Sequence, residues 1–328
     1  MIKALFFDLD GTLLNSKKEI SERTQSTLKI CKLKGIKLFI ATARPPLLKK
    51  MLAWDDTILS LFDGGSYYNG GCIILHNTTN FYRKFVGKRS LHAAKRYVLP
   101  SYSPLSCFAR KMKQGFIRHK ILFCDGGQYI NNTTKQYIPI DNEVVQGIIE
   151  LVSKYELLNI ALQLEDEVHA FRFPLEEKEY KSWGINLEDS LNIKNINGYR
   201  TIKILVFYAN LINSATQIDT ELVSQLKSMY QNKAQLYLTD EGKLVQIIGA
   251  SVNKYESIEK IRLRYGFQKN EIAVFGDDVN DIEMLSAYDN SVAMGNADDY
   301  IKKVAKYTTL DNNNDGIHHA ICNILRII

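Results

Sequence analysis

The sequence predicts an α/β protein: a doubly wound parallel sheet with helices on both faces, interrupted by an inserted α+β unit. Three observations lead there. Short apolar runs alternate with helical stretches at both ends of the chain. Those runs finish in acidic or hydroxyl side chains. The middle of the chain breaks the alternation with elements of its own.

Ala4–Asp8 is short, apolar and ends in an acid, as a buried strand does. Glu19–Lys34 reads as a helix, with Ser21 placed to cap it and Gly35 to end it. Ile36–Ala41 is a second buried strand, and Pro45 and Pro46 suit the opening of another helix. The C-terminal end repeats the pattern. Tyr255–Tyr265 is helical, Ile272–Phe275 a strand, Asn280–Tyr288 a helix, Ser291–Met294 a strand, Asp299–Ala305 a helix and Tyr307–Leu310 a short last strand. Between them, Ile148–Lys154 and Ser214–Tyr230 read as helices, and Thr201–Phe207 and Gln235–Thr239 as strands. The expected division is a core formed by 1–81 and 241–328, with 82–240 inserted. Asp63–Asn69 resembles Asp125–Asn131, which reads as chance or as two similar strand–turn units; a repeat architecture needs a sustained period.

A chain of 328 residues can bury a sizeable core, and 45% hydrophobic with 24% charged residues excludes a disordered or collagen-like protein. The net charge of +6 suits an acidic small molecule as readily as a nucleic acid. Cys31, Cys72, Cys107, Cys124 and Cys322 are odd in number and contain no CxxC, so free thiols in a reducing cytoplasm are expected. The apolar run at Ala4–Leu9 is too short for a signal peptide, and no stretch is long enough to cross a membrane. Between Gly64 and Cys124 there is no acid, while basic residues run from Arg83 to Lys120 with aromatics among them. No RNA-binding module signature accompanies them, so this segment reads as a solvated face that draws in anionic substrates, with nucleic acid the lesser reading.

Three segments carry the chemistry. Phe7-Asp8-Leu9-Asp10-Gly11-Thr12-Leu13 sets two carboxylates one residue apart at a strand end, on the same side of the strand. Gly11 allows a sharp turn and close approach to a ligand. Ala41-Thr42-Ala43-Arg44 offers a hydroxyl and backbone N–H groups at a second strand end. Gly276-Asp277-Asp278-Val279-Asn280-Asp281 adds carboxylates and an amide at a third. Ligands of open α/β sheets bind at the carboxyl ends of the strands. Clustered carboxylates without His or Cys suit Mg²⁺, which takes oxygen ligands and bridges to phosphate. An anionic nucleophile and an anionic phosphate also need a lysine, and Lys254, in the segment just before the acidic one, is the candidate.

In this order, these segments resemble the haloacid dehalogenase superfamily of phosphohydrolases. FFDLDGTLL is similar to that family's first motif, ATAR to its second, Lys254 to its third and GDDVNDIEML to its fourth. The tail VAMGNADDYIKKVAKYTTLDNNNDGI is similar to the Cof-like branch, and an insertion between the second and third motifs matches a type IIB cap. The resemblance implies a Rossmann-like core and a cytoplasmic phosphatase using Mg²⁺ on a small phosphorylated metabolite, sugar phosphates being the default class. It implies Asp8 as nucleophile and Asp10 as acid, then base. Asp8, the Asp10 carbonyl and Asp277 would hold the metal; Gly11, Thr42, Ala43, Lys254 and Asn280 would meet the phosphate. Asp281 and Asp278 would stand behind them, and Arg44 reads as a structural or rim residue. The chain is expected as a monomer or weak homo-oligomer. Two other readings use the same residues: a phosphotransferase or mutase, and a non-catalytic phosphometabolite-binding protein.

Overall fold

The structure, a computed structural model, describes residues 1–76, 117–118, 133–196, 198–209 and 216–328. Apart from Ile117–Arg118, the basic segment 83–120 lies outside the described residues, and so does the second Asp-Gly-Gly segment at 125–131.

In chain order the strands are β1 (Ala4–Phe7), β2 (Lys37–Ala41), β3 (Gly64–Tyr67), β4 (Cys72–His76), β5 (Ile117–Arg118), β6 (Thr133–Tyr137), β7 (Leu158–Leu164), β8 (His169–Phe171), β9 (Ser190–Asn192), β10 (Thr201–Tyr208), β11 (Ala234–Thr239), β12 (Leu244–Gly249), β13 (Ile272–Gly276), β14 (Asn290–Ala293) and β15 (Tyr307–Thr308). They form two sheets. The first runs β15-β14-β13-β1-β2-β3-β4-β6-β5, and the second β11-β12-β10-β7-β8-β9. From β15 to β3 the first sheet is parallel; β4 turns antiparallel.

β1 is central in the parallel part, between β2 and β13, which brings the two ends of the chain together. Its residues alternate between faces. Phe6 stacks on Phe39 at 4.7 Å toward helices Lys254–Tyr265 and Ile282–Ala287. Phe7 stacks on Phe275 at 4.9 Å toward helix Glu22–Leu33 and the C-terminal turns. Burial on both faces is why these strands are apolar throughout. Ser21 caps the helix Glu22–Leu33 as expected, accepting from the Thr24 N–H. The helix after Pro46 is a short one, Leu48–Met51.

The second sheet is antiparallel except for the β8–β9 pair. Ile160, Leu162, Ile204, Val206, Val245 and Ile247 pack on helices Asn142–Val152 and Thr220–Tyr230. Of the alternate residues, Ala161 and Phe207 pack with Leu175, Tyr180 and Ile185, while Gln163, Lys203 and Gln246 turn toward the first sheet.

Among the described residues, the change of sheet falls at other places than the expected boundaries at 82 and 240. β6 pairs with β4 and stays in the first sheet, and β12 lies inside the second, between β11 and β10. The chain therefore crosses between Tyr137 and Asn142 and returns between Gly249 and Lys254. A strand belongs to the sheet that satisfies its hydrogen bonds, and local hydropathy does not encode which one that is. The helix expected from Ile148 begins at Asn142 because Asp141 caps it. The one expected from Ser214 runs Thr220–Tyr230, capped by Asp219.

Candidate active site

Asp8, immediately after β1, continues the parallel pairing: its N–H donates to the Phe275 carbonyl at 3.0 Å. Its side chain meets Lys254, the first residue of a helix capped by Asn253. Lys254 is fully buried; its Nζ donates to Asp8 Oδ1 and Asp281 Oδ1, each at 2.7 Å, and to Asn280 Oδ1 at 3.4 Å. Burial by itself lowers a lysine's pKa, but Asp281 and Asp8 outweigh it and hold Lys254 above its ordinary value. Asp281 Oδ2 accepts from the N–H groups of Asp277 and Asp278 at 3.0 and 3.2 Å, so one carboxylate ties the lysine to the acidic turn. Asp277 accepts from Thr12 Oγ1 at 2.5 Å and lies so close to Gly11 that a Cβ there would sit 2.1 Å from Asp277 Oδ2. Gly11 also holds φ +77, so both conformation and space demand glycine.

Asp10 points elsewhere. Arg44 grips its carboxylate with two bonds, Nε to Oδ2 at 2.6 Å and Nη2 to Oδ1 at 2.7 Å, and Lys18 Nζ adds a third at 2.7 Å. Burial pushes the Asp10 carboxyl up, but the Arg44 and Lys18 contacts win and bring it down to about 2. Of the two expectations for Arg44, structural or rim, the geometry is the structural one: it is the ionic partner of Asp10, and it lines the same cavity. The signal available in the sequence was its place two residues after Thr42, whose Oγ1 accepts from the Arg44 N–H at 3.1 Å.

Asp278 caps the 3-10 turn Val279–Asp281, and burial raises its carboxyl. Asn280 is buried in an amide relay. Asn280 Nδ2 donates to Asn69 Oδ1 at 3.0 Å, Asn69 Nδ2 to Gln246 Oε1 at 3.2 Å, and Gln246 Nε2 to Thr239 Oγ1 at 2.8 Å. A lysine has donors only, so Lys254 fixes the polarity of every amide after it. Sequence reasoning missed the role of Asn69; it sits at φ 55, a left-handed conformation that asparagine tolerates well. In the tail, Asn296 Nδ2 donates to the Gly11 carbonyl at 2.9 Å and steadies the first loop.

Asp8, Asp10, Gly11, Thr42, Ala43, Asp277, Asp278 and Asn280 all line one cavity of about 550 Å³. Lys254 and Asp281 lie beneath it. The second sheet roofs it with Gln163, Lys203, Leu205, Leu244 and Gln246, and Trp183 closes one side.

A carboxylate oxygen from each of Asp8, Asp277 and Asp281 lies within 4.8 Å of the others. Asp281 is spent on Lys254 and two backbone N–H groups, which leaves Asp8 and Asp277 to offer oxygens. Burial, followed by the Asp281 charge, pushes Asp277 up to about 7; burial also raises Asp8 well above the carboxylate range, against the pull of Lys254. Holding both as carboxylates against that burial calls for a cation, and an all-oxygen donor set fits Mg²⁺.

Strand-end carboxylates, a buried lysine and a hydroxyl loop at one sheet edge define a phosphoryl-transfer type of hydrolase site. The chain belongs to the haloacid dehalogenase-like hydrolases, whose family model matches residues 5–120 and 107–321. Over 320 residues, covering 94% of this chain and 93% of the relative, it is 25% identical to the 5-amino-6-(5-phospho-D-ribitylamino)uracil phosphatase YitU of Bacillus subtilis. YwtE of the same organism, with the same described activity, is 24% identical over 325 residues, 99% and 98% of the two chains. The solved structure of the subclass IIB sugar phosphatase BT4131 superimposes with a TM-score of 0.67 at 21% identity, covering 99% of each chain. A haloacid dehalogenase-like hydrolase from Bacteroides thetaiotaomicron does so at 0.65 and 24%, covering 99% and 100%. Both carry the same fold as this chain.

Proposed function

We propose that this chain is a magnesium-dependent phosphatase that hydrolyses a small phosphorylated metabolite, with sugar phosphates the leading class, through an aspartyl phosphate on Asp8. The observation that carries the reading is Lys254, buried and bonded to both Asp8 and Asp281, with Asp277 alongside. An ammonium in that place orients Asp8 and leaves positive charge where a phosphate would arrive. Magnesium held by Asp8 and Asp277, together with the Asp10 carbonyl, would offset the charge of phosphate and nucleophile.

In the first step an Asp8 oxygen bonds to phosphorus, the ester P–O bond breaks, and Asp10 gives the leaving oxygen a proton. In the second step water attacks the aspartyl phosphate, Asp10 takes its proton, and Asp8 and inorganic phosphate are released. The ion pair with Arg44 and Lys18 favours the carboxylate, which is the form the second step uses. For the first step Asp10 must be protonated, so substrate entry has to loosen that pair. The hydroxyl of Thr42 and the Ala43 N–H are the phosphate contacts on the other side, the Thr42 N–H being spent on the Ser66 carbonyl at 2.9 Å.

The second unit selects the leaving group. Gln163, Gln246 and Thr239 offer polar groups and Trp183 an aromatic face, which suit a hydroxylated carbon chain with a flat part. The relatives' phosphorylated ribityl-uracil is of that kind.

A panel of phosphorylated metabolites and p-nitrophenyl phosphate, assayed with Mg²⁺ beside Asp8→Asn, tests the reading. Phosphate release by the native chain without any acceptor, and none by Asp8→Asn at an unchanged fold, is expected. Dependence on a second sugar as acceptor would point to a phosphotransferase instead, and retained turnover in Asp8→Asn would remove Asp8 as nucleophile. Mg²⁺ should also raise the thermal midpoint of the native chain and leave that of Asp277→Ala where it was.

A further inference from the structure

Among the described residues three lysines are buried, and two of them have carboxylates. Lys32 pairs with Asp63, and Lys254 with Asp8 and Asp281. Lys203 is the exception. It is 2% exposed, and its Nζ donates to the main-chain carbonyl of Ala43 at 2.9 Å, with no ion pair to any described carboxylate.

Its position holds it in the cavity wall, away from bulk water. Lys203 stands on β10, in the middle of the second sheet, opposite Gln163 of β7, and on the face that roofs the cavity. Lys254, a like charge, is near enough to disfavour the ammonium. Burial first, then Lys254, push Lys203 down to about 7, and only Asp240 pulls the other way. A methionine of similar length would fill the place without desolvating a charge. An ammonium in a cavity wall, with N–H groups left over after one carbonyl, is built to meet an oxyanion.

On the phosphatase reading above, we propose that Lys203 is the oxyanion-binding arm of the second unit: its ammonium, seated on Ala43, takes an anionic oxygen of the bound phosphate ester. Ala43 neighbours Thr42 in the phosphate loop, so the arm ties substrate, loop and roof together. The oxyanion has two sources, the phosphoryl group being transferred or a second acid on the leaving group. The carboxylates beneath the cavity outnumber the cations paired with them and would repel an oxyanion from either source, so a further cation in the roof is what offsets that repulsion.

The test is calorimetric and needs no turnover. Inorganic phosphate, 3-phosphoglycerate and glycerol 3-phosphate are titrated, with Mg²⁺ present, into the native chain, Lys203→Met, Lys203→Gln and Lys203→Arg. If the arm holds the transferred phosphoryl group, Lys203→Met and Lys203→Gln weaken all three ligands by about tenfold or more, and Lys203→Arg recovers most of the loss. If it holds a second acid, the phosphate constant stays put and the preference for 3-phosphoglycerate over glycerol 3-phosphate disappears. Lys203→Gln keeps a donor for Ala43 but no charge. Binding within twofold of native in a folded Lys203→Gln would reduce Lys203 to a structural tie and overturn the proposal. A native chain that binds phosphate yet hydrolyses nothing would sink the phosphatase reading and leave the Lys203 constants to decide this one.

Discussion

The two walls of the cavity are built differently. The floor consists of loop residues at the ends of three parallel strands, where charges are paired at bonding distance: Lys254 with Asp8 and Asp281, Arg44 and Lys18 with Asp10. The roof is one face of an antiparallel sheet, where Gln163, Lys203, Leu205 and Gln246 project from three neighbouring strands. In the floor, functional residues cluster in short segments because a strand end followed by a loop presents consecutive side chains. In the roof, they come from separate strands, each flanked by residues that face the hydrophobic core. On the proposed reading, chemistry is therefore concentrated in the floor and recognition spread across the roof.

That contrast can be broken most sharply at Asp281. Asp281→Ala strips a fully buried lysine of one carboxylate and orphans two backbone N–H groups; a loss of about 3–5 kcal/mol in urea unfolding is expected. Turnover should fall by about a hundredfold as Lys254 loses its orientation. An unfolding curve like the native one would show the floor to be less tightly coupled than its geometry implies.

Acid should strike the roof instead. His169, buried on β8 beside Gln163, is pushed by burial from its ordinary 6.5 down to about 4. The unfolded chain takes the proton between those values and the folded one does not, so stability is complete above 6.5 and is lost as pH falls toward 4. The full span amounts to about 3 kcal/mol. His169→Phe should flatten that part of the pH–stability curve; an unaltered slope would assign it to other groups.

Asn69 tests the link between the walls. Asn69→Gly keeps the left-handed backbone but cuts the relay from Asn280 to Gln246, leaving two buried groups without partners. A cost of about 2 kcal/mol is expected. The turnover number should drop with little change in KM, and a rise in KM alone would place the effect in the roof. Smallest of all, Ser21→Ala removes a helix cap far from the cavity. It should cost about 1 kcal/mol in thermal or urea unfolding and leave turnover unchanged.

Much of the floor was legible because its signals are local. Asp8 and Asp10 follow an apolar run, Gly11 marks the turn, and Asp277 to Asp281 stand within one short segment. Arg44 was visible as a structural or rim residue but its partner was not: it pairs with Asp10, which a loop on another strand brings within 2.6 Å. Lys203, Asn69 and Gln246 gave no local signal. A lysine in Thr-Ile-Lys-Ile-Leu-Val reads as the solvent face of a strand, and only the presence of the first unit beneath that face buries it. Where the chain changes sheet was hidden for the same reason, since β6 and β12 are placed by partners remote in the chain and not by the local signals that suggested 82 and 240.

The sequence by itself determined the alternation that makes the parallel sheet, the order of the acidic segments along it, and the hard-metal character of their side chains. Only the tertiary structure decided that Asp8, Lys254 and Asp277 share one point, that Arg44 holds Asp10, and which strands roof the cavity. The physical reason is range. Hydropathy period, caps and glycine turns act over a few residues, whereas charge pairing, desolvation and sheet membership depend on what is near in space.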